Sequence, residues 1–486
     1  MDNLPDDIIN TIFIVSFELF GDTSLFTKDN PSIISSHVCR RWRTLALSLP
    51  LLWTTIKLQH HPAWIPPCFE ASSSSDRSAW PTLKLNALRT WIDRSRTLPL
   101  RVSITFDSRE HRWVQALGGA SEEEQNLASE FLAVLCATAP RWRYLRCCFP
   151  EAPWAVGCLA LLKVPDAVSL QTCDFLIRSP EYHPVNPIDY YKGREMLALQ
   201  SSSLRTLTIF PPAPTLLEFP IKWNSLTTLK LLSPNHKLFS RVTILRILSL
   251  TVNLVEIQTL MFWKAQDESP LEVWEKKPIL LEKFRCAKLY LQQISMGLGK
   301  YLELPAIEEL RIVSWAPVPL MEWVKGCGKT VNQVALGVHA LTAETKATLR
   351  QVFEGLRSVT KLSLTMEPGM VHEPLTQEVM GVLEDTCEEG GGRRWLPNLQ
   401  ELTVALHTSS NRLHEGPLAE LVIQRRGKGR VKKLVRVVVG QPMPASLEEL
   451  QERLFQQGLK MPLDGWELDV EVRAQRLWSL WHETMN

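Results

Sequence analysis

The sequence contains no hydrophobic run approaching the roughly 20 residues that a bilayer-crossing helix needs, so no membrane partner is expected. It has no excess of either charge. With 54 Lys and Arg against 52 Asp and Glu, the formal net charge is +2, which gives no reason to expect nucleic acid as a partner. The ten cysteines have no regular spacing, and Cys147 and Cys148 are adjacent. That suits neither a disulfide framework nor a metal knuckle, and predicts buried, reduced thiols in an intracellular protein. Glycine, at 22 residues, is scarcer than proline at 32, so short elements separated by proline-marked turns are expected. The start Met-Asp-Asn-Leu-Pro-Asp-Asp is acidic where a secretory signal would be basic. Together these features place the protein in the cytoplasm, the nucleus or both.

Motifs that carry chemistry are also missing. There is no Cys-x-x-Cys, His-Glu-x-x-His or Gly-x-Ser-x-Gly, and His60-His61 has no second ligand pair. Gly326-Cys-Gly-Lys-Thr330 resembles the end of a phosphate loop, but Trp323 stands where that loop requires glycine, and an apolar strand follows instead of a helix. Gly297-Leu-Gly-Lys lacks a third glycine. No catalytic residue, metal or cofactor is therefore expected.

The composition is globular, with 45% hydrophobic and 22% charged residues. Leu4-Pro5-Asp6-Asp7 is a helix start: proline suits the first helical position, and the aspartates suit the positive end of the helix dipole. Ile8, Ile9, Ile12, Phe13 and Phe17 then form a broad apolar stripe. After a break from Gly21 to Pro31, a second helix is predicted with Ile34, Val38, Trp42 and Leu45 on one face, ending near Pro50 and followed by Leu52-Trp53. A unit this small cannot bury so much apolar surface alone. It must pack on the rest of the chain or present a face to a partner.

The three blocks Leu-Pro-Asp-Asp-Ile-Ile-x-x-Ile-Phe, Val-Cys-Arg-Arg-Trp-Arg-x-Leu-Ala and Pro-Leu-Leu-Trp resemble an F-box, nearest to the F-box-like version abundant in fungal proteins. The resemblance covers residues 2 to about 56. It implies docking on a Skp adaptor subunit and, through it, on a cullin–RING ubiquitin ligase. The residues it assigns to adaptor contact are Leu4, Pro5, Ile8, Ile12, Val38, Cys39, Trp42, Leu45 and Trp53. The long polar stretch between the blocks departs from the family, and a small helical core with no adaptor role is the alternative.

Residues 57 to about 82, with Pro62, Pro66, Pro67, Pro81 and Ser72 to Ser75, predict a mobile loop. Leu88, Trp91 and Ile92 follow on a short helix, and Leu100, Val102, Ile104 and Phe106 alternate as a strand. The phrase Trp-Ile-Asp-Arg-Ser-Arg-Thr-Leu-Pro-Leu-Arg-Val is similar to a segment that follows the F-box in the same fungal group. Ser121 and Glu124 cap a helix carrying Leu127, Phe131, Val134 and Leu135.

A pattern Leu-x-x-Leu-x-Leu then recurs at Leu204/Leu207/Ile209, Leu226/Leu229/Leu231, Ile307/Leu310/Ile312, Val331/Val334/Leu336, Val359/Leu362/Leu364 and Leu399/Leu402/Val404. Weaker copies sit at Leu254/Ile257 and Leu281/Phe284. Steps of 22 (207 to 229), 24 (310 to 334), 28 (334 to 362) and 40 (362 to 402) mostly suit a leucine-rich repeat, the last with an insertion that fits a helix around Val379, Val382 and Leu383. The fold class expected is α/β: a small α-helical F-box, then an irregular leucine-rich-repeat-like solenoid with parallel strands inside and helices outside. Most copies lack the repeat's fixed asparagine, and a non-solenoid α/β domain with similar strands is the alternative.

The basic run Arg425, Arg426, Lys428, Arg430, Lys432 and Lys433 reads as a solvated turn, with a nuclear-localisation signal or an acidic-partner contact as the other reading. Among the 17 tryptophans, Trp223, Trp263 and Trp315 divide between core and recognition surface. The domains expected are the F-box at 1–58, a linker at 59–82, first irregular repeats at 83–200, the solenoid at 201–440 and a C-terminal cap at 441–486. The function expected is a non-catalytic adaptor that recruits an unknown target protein for ubiquitination. The alternative is an F-box-fold leucine-rich-repeat scaffold acting outside any ligase.

Overall fold

The computed structural model describes residues 4–20, 24–25, 27–60, 74–106, 130–150, 167–178, 197–210, 216–232, 241–262, 277–292, 298–314, 321, 323–324, 329–338, 351–366, 396, 398–399, 401–406 and 436–439. The chain divides into two compact units, Met1–Leu232 and Ser233–Asn486.

The first unit opens with three helices, α1 (Asp6–Phe20), α2 (Pro31–His37) and α3 (Arg40–Ser48), and a 3-10 turn Pro50–Trp53. The expected single second helix is in fact two. Cys39 adopts an extended backbone and its Sγ caps α3 by accepting from the Trp42 N–H at 3.4 Å, so the chain turns between Val38 and Arg40. Ile34 and Val38 therefore do not share a helical face with Trp42 and Leu45. Asn30 caps α2 in the same way, accepting from the Ser32 N–H at 3.0 Å, with Pro31 at the first helical position.

Six strands follow: β1 (Thr55–His60), β2 (Leu100–Phe106), β3 (Trp142–Pro150), β4 (Thr172–Arg178), β5 (Thr206–Phe210) and β6 (Thr228–Leu232). They pair in sequence order and all parallel. Strand alternation sends one row of side chains inward. Ile56, Val102, Leu145, Cys173, Leu207 and Leu229 stand side by side in register, and all are buried. Two residues further along, Leu58, Ile104, Cys147, Phe175, Ile209 and Leu231 form a second buried row.

The apolar triplet thus begins earlier than the leucine pattern suggests. Trp53/Ile56/Leu58, Trp142/Leu145/Cys147 and Leu170/Cys173/Phe175 are buried copies. Trp and Cys hold places where a leucine pattern looks for leucine.

The second unit repeats this arrangement. Its strands β7 (Glu256–Phe262), β9 (Cys286–Gln292), β11 (Glu309–Ser314), β12 (Gln333–Val338), β13 (Lys361–Met366), β14 (Glu401–Leu406) and β15 (Arg436–Val439) are parallel and consecutive. A two-residue pair, β8 (Ile279–Leu280) with β10 (Leu302–Glu303), lies apart from that ladder. The weak copy expected at Leu281/Phe284 shifts by three residues: Phe284, Ala287 and Leu289 are the buried triplet, and Leu281 belongs to the turn before it.

One backbone device recurs at the start of strands. Two successive N–H groups of an incoming turn donate to a single carbonyl of the preceding repeat, at 2.8–3.0 Å. The shared acceptors are the carbonyls of Gln171 and Arg205 in the first unit and of Val255, Arg285, Glu308 and Asn332 in the second. Short hydroxyl side chains in the turns before some strands add a bond to the preceding repeat. Ser201 Oγ donates to the Leu170 carbonyl at 3.2 Å, Ser225 Oγ to the Leu204 carbonyl at 2.9 Å and Ser358 Oγ to the Val331 carbonyl at 2.6 Å.

Among the described residues the connections mix the expected helices with single turns. Ser74–Arg94, residues 130–136 (the end of the helix expected to carry Phe131 and Leu135), Arg241–Leu250 and residues 351–355 are α-helical, and Leu197–Gln200, Leu216–Glu218, Trp223–Ser225 and Gly299–Tyr301 are single 3-10 turns. Trp223 lies in the core. In the segment 351–355 a Cβ at Gly355 would collide with Val324 Cγ1, which explains a glycine inside a helix.

The expected domain limits shift at both ends of the first junction. β1 runs through residue 58, and the helix α4 (Ser74–Arg94) begins inside the stretch read as a loop, so it is longer than the short helix expected. Arg96, at φ 51°, turns the chain out of α4 in the left-handed region. The expectations for residues 121–129, the helix near Val382, the basic run, Trp263, Trp315 and the segment 441–486 lie outside the described residues.

Trp53 joins the helices to the sheet. Its Nε1 donates to the Ala46 carbonyl at 2.9 Å, its ring meets Trp91 of α4 edge-on at 4.7 Å, and the Arg94 guanidinium lies 4.5 Å from its centroid. Trp53→Ala is therefore expected to cost about 3–5 kcal/mol in urea unfolding, by loss of packing and a cavity. Exposed Leu83→Ala on α4 is expected to stay within about 0.5 kcal/mol of the parent.

Candidate functional site

Helix α1 is apolar on nearly every side, yet only Ile9 and Phe13 are buried. Ile8, Ile12, Val15 and Leu19 are 44%, 39%, 46% and 69% exposed, at helical spacing along one face. Phe20 and Ile34 are exposed too, and Val38, the residue that closes α2, is 52% exposed. A helix apolar all round is normally covered all round. Here the cover is missing on one side among the described residues. The helices themselves are well fixed. The Arg41 guanidinium donates to Asp6 Oδ1 and to the Leu4 carbonyl, tying the start of α1 to α3. Trp42 meets Phe13 edge-on at 5.1 Å.

The nine residues assigned to adaptor contact therefore separate. Pro5, Ile8, Ile12, Val38 and Cys39 are exposed, and Leu4, Trp42 and Leu45 are half-buried. Trp53, at 1% exposure, has no surface to offer and is corrected to a core residue. Val15 and Leu19, not singled out from the sequence, share the exposed face of α1 with Ile8 and Ile12. The available signal was an α1 too apolar for the stripe that packs inward.

The second feature is the polar face of the strands, formed by the positions that alternate with the core rows; part of it is buried, as at Ser103, Thr208 and Gln258. In the first unit, Arg101, Tyr144 and Thr172 stand in one row, and Lys57, Ser103, Arg146, Asp174, Thr208 and Lys230 in the next. A register shift between Leu100 and Arg101 brings Tyr144 into the row while Trp142 stays in the core. Tyr144 donates to Asp174 Oδ2 at 2.7 Å and carries the Arg101 guanidinium 4.9 Å from its ring centroid. Burial first, and then the Asp174 carboxylate, push the Tyr144 phenol well above its ordinary range, so it stays a neutral donor.

In the second unit the same positions carry Glu256, Cys286 and Glu309 in one row, and Gln258, Lys288 and Arg311 in the next. These charges satisfy one another. Lys288 Nζ lies 2.7 Å from Glu256 Oε1, and Arg311 Nε donates to Glu309 Oε1. The Cys286 thiol donates to Glu309 Oε2 at 3.5 Å, and burial followed by the Glu309 carboxylate pushes it up to about 12. A thiol so disposed is a poor nucleophile, because the thiolate is the reactive form.

Below that face, Ile244, Leu248, Ile257, Leu289 and Trp323 line a void of about 10 Å³ with Thr259 as its polar member. It is too small and too apolar to hold more than a single water. Among the described residues no helix is long and apolar enough to cross a membrane, and no three His, Cys, Asp or Glu side chains come together as a metal site. No known protein-family model matches the sequence, and no curated protein is significantly similar to it.

Alkylation of the folded protein at pH 8 is expected to modify exposed Cys39 well before Cys286. At pH 9 as at pH 8 Cys286 should stay largely unmodified while Cys39 reacts, since burial and the Glu309 carboxylate push the Cys286 thiol up to about 12 and leave only a trace of thiolate; peptide mapping by mass spectrometry checks both.

Proposed function

We propose that this chain is a substrate-recruiting, non-catalytic adaptor of a Skp–cullin–F-box ubiquitin ligase, acting in the cytoplasm or nucleus. In this reading α1 to α3 are an F-box that docks on the Skp adaptor, and the parallel-stranded units are leucine-rich-repeat-like bodies that hold the target. The observation that carries it is the exposed row Ile8, Ile12, Val15 and Leu19 on a helix otherwise fixed by Asp6, Arg41, Phe13 and Trp42. Contiguous apolar surface on a well-ordered helix marks a protein interface. It coincides with the segment whose Leu-Pro, Cys-Arg-x-Trp and Leu-Trp blocks resemble the F-box. The chemistry would belong to other subunits, with the chain raising the effective concentration of target near a charged conjugating enzyme.

The test is binding of the full chain to purified Skp adaptor. The parent should bind, and Ile8→Asp with Ile12→Asp should weaken binding more than about tenfold by placing carboxylates in a desolvated contact. Circular dichroism should show both folded, since these side chains are exposed. A folded parent that fails to bind would remove the ligase reading and leave a scaffold with an F-box-like fold.

A further inference from the structure

Helix α1 is a rod seated near one end. Its buried side chains, Ile9 and Phe13, lie one turn apart in its first half, and no residue from Ile14 to Phe20 is buried. The seat is imperfect, because Asn10 Oδ1 is buried without a hydrogen-bond partner among the described residues, which costs stability. No basic residue in the last turn offsets the negative end of the helix dipole. A lone helix of this length is marginal in water.

What completes the seat is ionic. The Arg41 guanidinium, from α3, donates through Nε and Nη2 to Asp6 Oδ1 and through Nη2 to the Leu4 carbonyl. The next residue, Trp42, meets Phe13 edge-on. Consecutive residues of α3 thus grip α1 at its start and at its middle, about 10 Å apart at 1.5 Å per residue. Ile9 and Phe13 alone span about 6 Å of the axis, a short base on which a rod can rock. A half-exposed ion pair contributes little by itself. Here the same guanidinium also meets a carbonyl, and hydrogen bonds from a charged donor are the stronger kind. The other two helices need no such tie. Asn30 caps α2, Arg43 Nε donates to the Ser36 carbonyl at 2.8 Å, Ser32 Oγ to the Leu52 carbonyl and Trp53 Nε1 to the Ala46 carbonyl.

We infer that Arg41 is the positioning residue of the docking helix: through Asp6 and the Leu4 backbone it sets α1 in the pose that presents Ile8, Ile12, Val15 and Leu19 to the adaptor. This inference rests on the adaptor reading of the chain and names the device that readies that same face. Leverage explains why one side chain matters. Leu19 lies about 9 Å beyond Phe13, so a tilt released at Asp6 moves the far end of the apolar row by a comparable distance. A closely packed contact does not absorb such a shift.

The experiment uses the full chain and two readings. Hydrogen exchange followed by mass spectrometry reports on α1 with no adaptor present. Arg41→Gln should speed exchange in α1 by about fivefold and leave α2, α3 and β1 to β3 as in the parent. Binding to purified Skp adaptor should weaken by about the same factor. Arg41→Lys, which keeps the charge but not the fork of donors, should recover part of both. Asp7 shares the dipole position of Asp6 but has no ion pair, so Asp7→Asn should weaken binding less than Asp6→Asn. Added to Arg41→Gln, Asp6→Asn should cost no more than Asp7→Asn does alone, because the clamp is already gone.

Asp6→Asn, at an exposed side chain, repeats the test from the other partner if Arg41→Gln does not fold. Unchanged exchange in α1, faster exchange spread over α2, α3 and the strands, or a loosened α1 that binds as tightly as the parent would overturn the inference. If the folded parent binds no adaptor, the ligase reading falls and the docking role falls with it. Exchange then still decides whether Arg41 sets α1, so the two failures are read separately.

Discussion

Everything else in the two units depends on how one strand hands its register to the next. A parallel strand that slipped by one residue would turn its buried row out to solvent and its polar row into the core. The shared carbonyls prevent this. Arg205 and Thr206 both donate to Gln171, Thr227 and Thr228 to Arg205, Glu308 and Glu309 to Arg285, and Thr360 and Lys361 to Asn332. Two bonds to one acceptor fix the entry of β5, β6, β9, β11, β12 and β13 before side chains decide their faces. With register fixed, a buried aliphatic side chain contributes about 1.5–3 kcal/mol, and β1, β2, β5, β6, β11 and β12 each supply at least two. That is why the core tolerates Cys173, Ala287 or Thr259 where a larger side chain would be expected.

The same register creates the polar faces, because every inward pair leaves its neighbours pointing the other way. What those neighbours are is free of the packing constraint. In the second unit they neutralise one another through Lys288–Glu256 and Arg311–Glu309, and the Cys286 thiol is held protonated beside Glu309. A half-buried ion pair of this kind orders the face without offering it. In the first unit Tyr144 donates to Asp174 Oδ2, and the buried Arg146 Nε has no hydrogen-bond partner among the described residues. Two runs of parallel strands built by one rule therefore differ in chemistry through a few side chains that bear no load in the core.

The α/β class and the strand positions were legible wherever the inward residues are leucine-like, as at Leu204/Leu207/Ile209 or Ile307/Leu310/Ile312. The repeat went unrecognised where Trp142 and Cys147 fill the same places, and was misplaced where Ala287 does, because the packing rule asks for volume and burial and the written pattern asks for leucine. The shared carbonyls have no sequence signature, since any residue supplies a backbone oxygen, and this hid the three-residue shift at Phe284. The break between α2 and α3 depended on a Cys39 cap, a residue rarely searched for at a helix start. Of the helical face, Ile8 and Ile12 were readable from spacing. Trp53 was not, because its partners Trp91 and Arg94 lie far along the chain. The charged rows were invisible for the same reason: Tyr144 and Asp174 meet only through strand pairing.

Trp53 also bears on how a partner on the helices would stand relative to the strands of the first unit. Between the end of α3 at Ser48 and the start of β1 at Thr55 the chain has only Leu49, the turn Pro50–Trp53 and Thr54. Ser32 Oγ donates to the Leu52 carbonyl at 2.7 Å, and the Leu25 N–H donates to the Lys57 carbonyl at 2.9 Å, so α2 and the α1–α2 segment are tied to this junction at two further points. A connection this short and this bonded has none of the slack of a flexible linker. A protein seated on Ile8, Ile12, Val15 and Leu19 would be held in one orientation to β1. For an adaptor that geometry matters more than affinity, because proximity helps transfer only if both partners can be engaged at once. The buried tryptophan, which the F-box resemblance placed at the interface, instead fixes the helices to the sheet from inside.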